Sequence, residues 1–136
     1  MASTLKLQII TPDATAYSDD VEMVTLPGVE GQMGIYPLHV PLMTQMVPGE
    51  IIVRKDGQDY FLAVGEGLIE VTGDHVAILT DLAVAAEQID EAKVEEARRR
   101  AEARLQEKLS DEEVAAVNGS IARALAQLHV KRRHRQ

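Results

Sequence analysis

All five prolines (positions 12, 27, 37, 41 and 48) and eight of the nine glycines lie before residue 74, and no other feature constrains the fold of this chain as much. Proline fixes φ and removes a backbone donor, while glycine opens the left-handed region, so together they cut a chain into short pieces. The first part of the chain is therefore suited to many short elements and the remainder to a few long ones.

Between these breaks, short apolar or alternating runs recur at residues 5–10, 21–26, 33–36, 42–47, 51–55, 60–64, 68–72 and 76–82. Rich in Val and Ile and bounded by Gly, Pro or Asp, they read as strands. Asp56-Gly57 and Gly73-Asp74 join neighbouring runs and suit tight hairpins that need positive φ. Eight or more antiparallel strands at this spacing, with no helix between them, predict a sandwich or flattened barrel. Phe61 is the single phenylalanine and tryptophan is absent, so the core must be largely aliphatic.

The period changes after Ile89. Residues 90–109 contain neither Gly nor Pro and are dominated by Ala, Glu, Arg and Leu, which are good helix formers. Asp90 is the expected N-cap. Glu91, Glu95 and Glu96 precede Arg98, Arg99, Arg100, Arg104 and Lys108, an order that complements the helix dipole and allows Glu95/Arg99 and Glu96/Arg100 pairs. A second helix is expected from Ser110, which forms a capping box with Glu113, to about residue 130. Val114, Val117, Ile121, Leu125 and Leu128 form its apolar stripe, facing a thinner one of Val94, Ala97, Ala101, Leu105 and Leu109. Ser110 alone is left to connect the helices. Gly119, inside the second helix, reads as close packing or simple tolerance rather than as a bend.

A chain of 136 residues can bury one real core plus an appendage. The expected division is a β domain over residues 1–88 and a helical hairpin over 89–136. The chain has no cysteine, no apolar stretch approaching the ~20 residues of a membrane span, and no basic start followed by a long apolar run, so a soluble, cytoplasmic protein without membrane insertion is expected. The net charge of −8 argues against general affinity for nucleic acid. The charge is unevenly spread: residues 1–89 carry three basic and thirteen acidic side chains, residues 90–136 eleven basic and nine acidic. The two parts are built for different partners.

Signatures of catalysis are missing. There is no phosphate-binding loop ending in Gly-Lys-Ser/Thr, no Gly-x-Ser-x-Gly and no His-Glu-x-x-His. Gly65 and Gly67 lack the third glycine of a dinucleotide fingerprint and read as turn residues. The histidines at 39, 75, 129 and 134 have no ligand spacing, so no catalytic, cofactor or metal site is assigned. Asn118-Gly119-Ser120 is a chance glycosylation sequon. The basic tail, residues 131–135, reads as solvated and dipole-stabilising, with an acidic protein surface as its second use.

Thr11-Pro12-Asp13, Val21-Glu22-Met23-Val24 and then LPGVEGQMGIYPLHVPLMTQMVPGEI from Leu26 to Ile51 occur in that order. With Gly67 to Val71, Val76 to Leu79 and the Ile89-Asp90 junction, they resemble the epsilon-subunit family of the F-type rotary ATP synthase over nearly the whole chain. Two positions depart from it: Leu38 stands where the family commonly has glycine, and Gln32 where it often has an acidic residue. The resemblance implies an α+β fold, a β-sandwich of about ten strands followed by a two-helix antiparallel hairpin, and a non-catalytic rotor subunit at the cytoplasmic face of the bacterial plasma membrane, held there peripherally. It implies docking on the gamma subunit and the c-ring through Glu30, Gly31, Gln32, Met33, Gly34 and His39. It also implies that the hairpin reaches the alpha/beta catalytic head and restrains ATP hydrolysis, with Arg98, Arg99, Arg100, Arg104 and Arg123 meeting an acidic loop of beta.

Some bacterial members bind ATP through a motif like Ile-Asp-x-x-Arg-Ala after an upstream glutamate. Here Ile89, Asp90 and Lys93, with Arg123, are the corresponding set, and Val84 stands near the place of the glutamate. Lysine is a poor substitute for a planar arginine contact, so weak or no ATP binding is expected. The alternatives are a soluble nucleotide-sensing regulatory domain and, further off, a metal-dependent β-sandwich enzyme using His39 and His75.

Overall fold

The computed structural model describes residues 4–134; Arg135 of the basic tail lies outside them. The strands are β1 (Leu5–Ile10), β2 (Thr15–Val21), β3 (Met23–Gly28), β4 (Gly31–Ile35), β5 (His39–Met46), β6 (Gly49–Lys55), β7 (Gln58–Val64), β8 (Gly67–Gly73), β9 (His75–Thr80) and β10 (Ala83–Ala85). A short 3-10 turn over Ala86–Gln88 leads into α1 (Glu91–Arg104) and α2 (Asp111–His134). In β1 the apolar Leu5, Leu7 and Ile9 are buried while Lys6 between them is exposed, the alternation a half-buried strand requires.

Hydrogen bonding runs in the order β10-β7-β6-β3-β5-β8-β9-β1-β2, with β4 paired to β3. The sheet folds over on itself into a sandwich approaching a barrel. Its neighbours are antiparallel except β1 and β9, which run parallel from Lys6↔His75 to Ile10↔Leu79, an arrangement that local hairpin signals in the sequence do not encode. Both expected tight turns are present: Asp56 and Gly57 have φ of 54° and 76°, and Gly73 has φ of 58°. Two strands escaped the sequence reading. β2, TAYSDDV, is an edge strand with mostly polar positions, and β10 is three residues long.

The buried core is supplied wholly by strands, from Leu5, Leu7 and Ile9 through Val24, Leu26, Ile51 and Val53 to Ile69, Val76 and Ile78. A second, smaller cluster of Ala63, Ala86, Ile89 and Val130, flanked by Phe61, Val84 and Val94, joins the helices to the outer side of the sandwich.

The caps match their expected chemistry. Asp90 accepts from the Lys93 amide, and Ser110 and Glu113 exchange side-chain-to-amide bonds at 3.1 and 3.2 Å. The connection differs from expectation, because α1 ends at Arg104 and six residues, 105–110, separate the helices. The amides of Leu105, Gln106 and Glu107 bond to carbonyls three residues back, tightening the chain so that α2 can return along α1. α2 continues to His134, beyond the expected end near residue 130, since its last turn finds acidic partners in α1 and the sandwich.

Candidate functional site

The segment that carries the family resemblance forms β3, a two-residue turn at Val29-Glu30, β4, and the loop Tyr36-Pro37-Leu38 leading into β5. Glu30, Gly31, Gln32 and Gly34 are exposed and Met33 leans onto the core. His39 lies beyond β4, its ring Nδ1 2.7 Å from the Val40 carbonyl. β4 spans roughly 16 Å, and the β3 end beside Glu30 meets the far end of β5 at Gly28↔Met46 while His39 begins that strand, so Glu30 and His39 lie towards opposite ends of β5 rather than at a common point. Between and beside them the sequence reading missed an apolar surface: Val29, Tyr36, Leu38, Val40 and Met43 are each more than half exposed. The signal was present, since in β5 the apolar residues fail to alternate and Val40-Pro41-Leu42-Met43 cannot all face one core.

Leu38 is 80% exposed and has φ of 67°, a left-handed conformation that costs a branched side chain energy and that glycine adopts freely.

The arginines are spread along the hairpin. Arg98 is bound by Glu95 and Glu102. Arg99 and Arg100, 75% and 73% exposed, have only long-range partners at 3.8 and 4.0 Å in Glu95 and Glu96. Arg104 lies near Glu107 and Glu113. Arg123 donates to Asp81 of the β9–β10 loop at 3.0 Å and to Ser120 at 3.1 Å. Hydrogen bonds from Arg98 and Arg132 hold the Glu95 carboxyl below its ordinary range, against some desolvation.

The residues weighed for nucleotide binding do not converge. Ile89 is buried in the smaller cluster, Asp90 is committed to capping α1, and Lys93 is exposed. Arg123 lies about 13 Å along α2 from Arg132, the residue that meets Glu91 at the start of α1. His75 bonds Gln8 at 3.0 Å, and among the described residues no group of three His, Cys, Asp or Glu side chains is placed to hold a metal ion.

A cleft of about 400 Å³ opens at the seam between β2 and the β6–β7 hairpin, lined by Tyr17, Asp19, Lys55, Tyr60, Phe61 and Glu87 among others. Lys55 pairs with Asp19 across it. That bond holds the Asp19 carboxyl below its usual range, while burial, with Asp19 beside it, raises the Tyr17 phenol.

The helices anchor at one end. Arg133 donates to Glu50 at 2.9 Å and His134 Nε2 lies 2.6 Å from the other carboxylate oxygen, while the His134 ring stacks on Phe61 with centroids 3.5 Å apart. Lys131 reaches the Ala86 carbonyl, and Arg132 bridges Glu91 and Glu95. Among the described residues no helix is long and apolar enough to cross a membrane.

Comparison with known proteins places this geometry among relatives. The family description "ATP synthase, Delta/Epsilon chain, beta-sandwich domain" matches residues 4–86, and "ATP synthase, Delta/Epsilon chain, long alpha-helix domain" matches 87–132. The ATP synthase epsilon chain of Laribacter hongkongensis is 39% identical over 128 residues, covering 93% of this chain and 91% of that one. The epsilon chain of Bacillus licheniformis is 40% identical over 129 residues, covering 95% and 98%. A chain in the Euglena gracilis mitochondrial ATP synthase OSCP/F1/c-ring structure superposes with a TM-score of 0.72 at 26% identity, covering 96% of this chain and 82% of its own. One in the Tetrahymena thermophila mitochondrial central stalk/c-ring structure gives 0.65 at 12% identity, over 95% and 97%, a likeness of fold alone.

Proposed function

This chain belongs to the ATP synthase delta/epsilon family, as an epsilon chain of the central stalk, and on that premise we propose how it works. The sandwich is the docking module. It couples the gamma subunit to the c-ring during proton-driven synthesis, and the catalytic sites lie on other subunits. The observation that carries this reading is the set of exposed apolar residues Val29, Tyr36, Leu38, Val40 and Met43, presented by β5 and the connections on either side of β4, while the strand core is complete without them. Apolar side chains left exposed along β5 and in the connections at its two ends, with Glu30, Gln32 and His39 nearby in the chain, make a surface suited to a protein partner. Glu30 to Gly34 face the c-ring in this reading and the loop before β5 faces gamma.

The hairpin is the regulatory part. It is joined to the sandwich by a small cluster outside the main core, so it can leave without opening that core. Lifted, it carries Arg98, Arg99, Arg100, Arg104 and Arg123 towards the catalytic head and restrains hydrolysis. Arg99 and Arg100 are the most available for an acidic partner because their own-chain pairs are long and solvated. In the reconstituted complex, replacing the five arginines by alanine is expected to raise ATP hydrolysis while leaving assembly intact. Unchanged hydrolysis would remove the regulatory half of the proposal.

A further inference from the structure

Among the described residues Glu50 is the single buried ionisable side chain, 4% exposed. A lone buried carboxylate is costly, because removing a charge from water costs several kcal/mol unless donors replace the water. Here both oxygens are met, one by Arg133 and one by His134, and both donors come from the final turn of α2. Phe61 of the adjacent strand β7 stacks on the same imidazole, and Val130, fully buried one turn earlier, seals the apolar side. The other charged groups here are engaged elsewhere: Lys131 with the Ala86 carbonyl, Arg132 with Glu91 and Glu95. Glu50 thus depends on the end of α2 for its solvation in the closed molecule, and regains water when the helix lifts.

We propose that Glu50, Arg133 and His134, with Phe61, form an electrostatic catch that holds the C-terminal end of α2 on the sandwich and sets how often the hairpin lifts. A buried pair of this kind adds little net stability against a well-packed apolar contact, but losing one partner is penalised heavily. The catch therefore acts as a registration device: it tolerates α2 seated with Arg133 and His134 on Glu50, and disfavours partial or shifted seating. The argument rests on the hairpin being detachable, as proposed above, and adds the contact that governs detachment.

The test is hydrogen exchange on the full chain, reading residues 111–134 separately from the strands. Arg133→Ala leaves the buried carboxylate short of a donor and is expected to raise opening of α2 by about tenfold or more, with β1 to β9 unchanged. Glu50→Arg should open it further, and combining Glu50→Arg with Arg133→Glu should restore much of the protection. Arg133 is half exposed, so Arg133→Ala keeps the test informative if Glu50→Arg fails to fold. Protection of α2 equal to the parent in the Arg133 variant would overturn the catch, and so would equal acceleration in helices and strands, which would make Glu50 a stabiliser of the sandwich only. Hydrolysis by the reconstituted complex is a separate readout. Faster α2 opening with unaltered hydrolysis keeps the catch and removes the regulatory role, whereas unaltered opening removes the catch alone.

Discussion

Leu38 shows at single-residue scale how the proposed docking surface and stability conflict. It occupies a left-handed conformation that disfavours any residue with a Cβ, and 80% exposure means that it gains almost nothing from the core in return. Leu38→Gly should therefore stabilise the isolated chain by up to about 1 kcal/mol in denaturant unfolding, and at the same time weaken its association with gamma. A stability loss on that substitution would contradict the strain argument. The identity of this position was legible in the sequence as a departure from the family's glycine, but its φ was not, because the loop closes only when β5 pairs with β8. Gly67 makes the complementary point. Read as a turn residue, it begins β8, where a Cβ would sit 2.0 Å from the Leu79 carbonyl oxygen, so it is glycine because two backbones approach closely.

At the scale of elements, the helices follow local rules and were correspondingly legible. Asp90, Ser110 and Glu113 cap where their chemistry says they should, and α2 runs unbroken through Gly119. A Cβ at Gly119 would meet only the tip of Arg123, at 3.4 Å. Gly119→Ala should thus raise stability by up to about 1 kcal/mol in thermal unfolding, the helix-propensity difference, with no loss elsewhere. The capping box also has a pH signature. Hydrogen bonds from the Ser110 backbone and side chain hold the Glu113 carboxyl below its ordinary 4.5, and Arg98 with Arg132 does the same for Glu95. A depressed carboxyl contributes its stability above the ordinary value and loses it as pH falls through the lowered one. Helix content should accordingly hold between pH 7 and 5 and decline below about pH 4; constant ellipticity at 222 nm down to pH 2 would contradict this. The strands were legible where they are apolar. β2 and β10 were not, since a polar edge strand and a three-residue strand need carry little pattern when a neighbour supplies their pairing. The length of the helix connection was likewise set by the return of α2, not by residues 105–109 themselves.

For the whole molecule, the uneven punctuation of the sequence becomes a difference in how the two parts are held. The main core is closed by strands alone, whereas the helices rest on a minor cluster and on ties from the second half of α2: Arg123 to Asp81, Lys131 to the Ala86 carbonyl, and Arg133 with His134 to Glu50. The catch was beyond sequence reasoning because it depends on Glu50 and Arg133, 83 positions apart, whereas the exposed apolar residues between 29 and 43 are close in the chain and left a signal in the unalternating run of β5. The proposed working state is a rigid docking module carrying a hairpin that lifts. Since the chain has no cysteine, labels can be introduced cleanly at exposed Gln58 of the sandwich and exposed Asn118 of α2, and the distance between them measured in the assembled synthase with and without ATP. Two distance populations are expected, their ratio changing with nucleotide while the sandwich stays bound to gamma. A single distance, equal to that of the free chain under every condition, would contradict it.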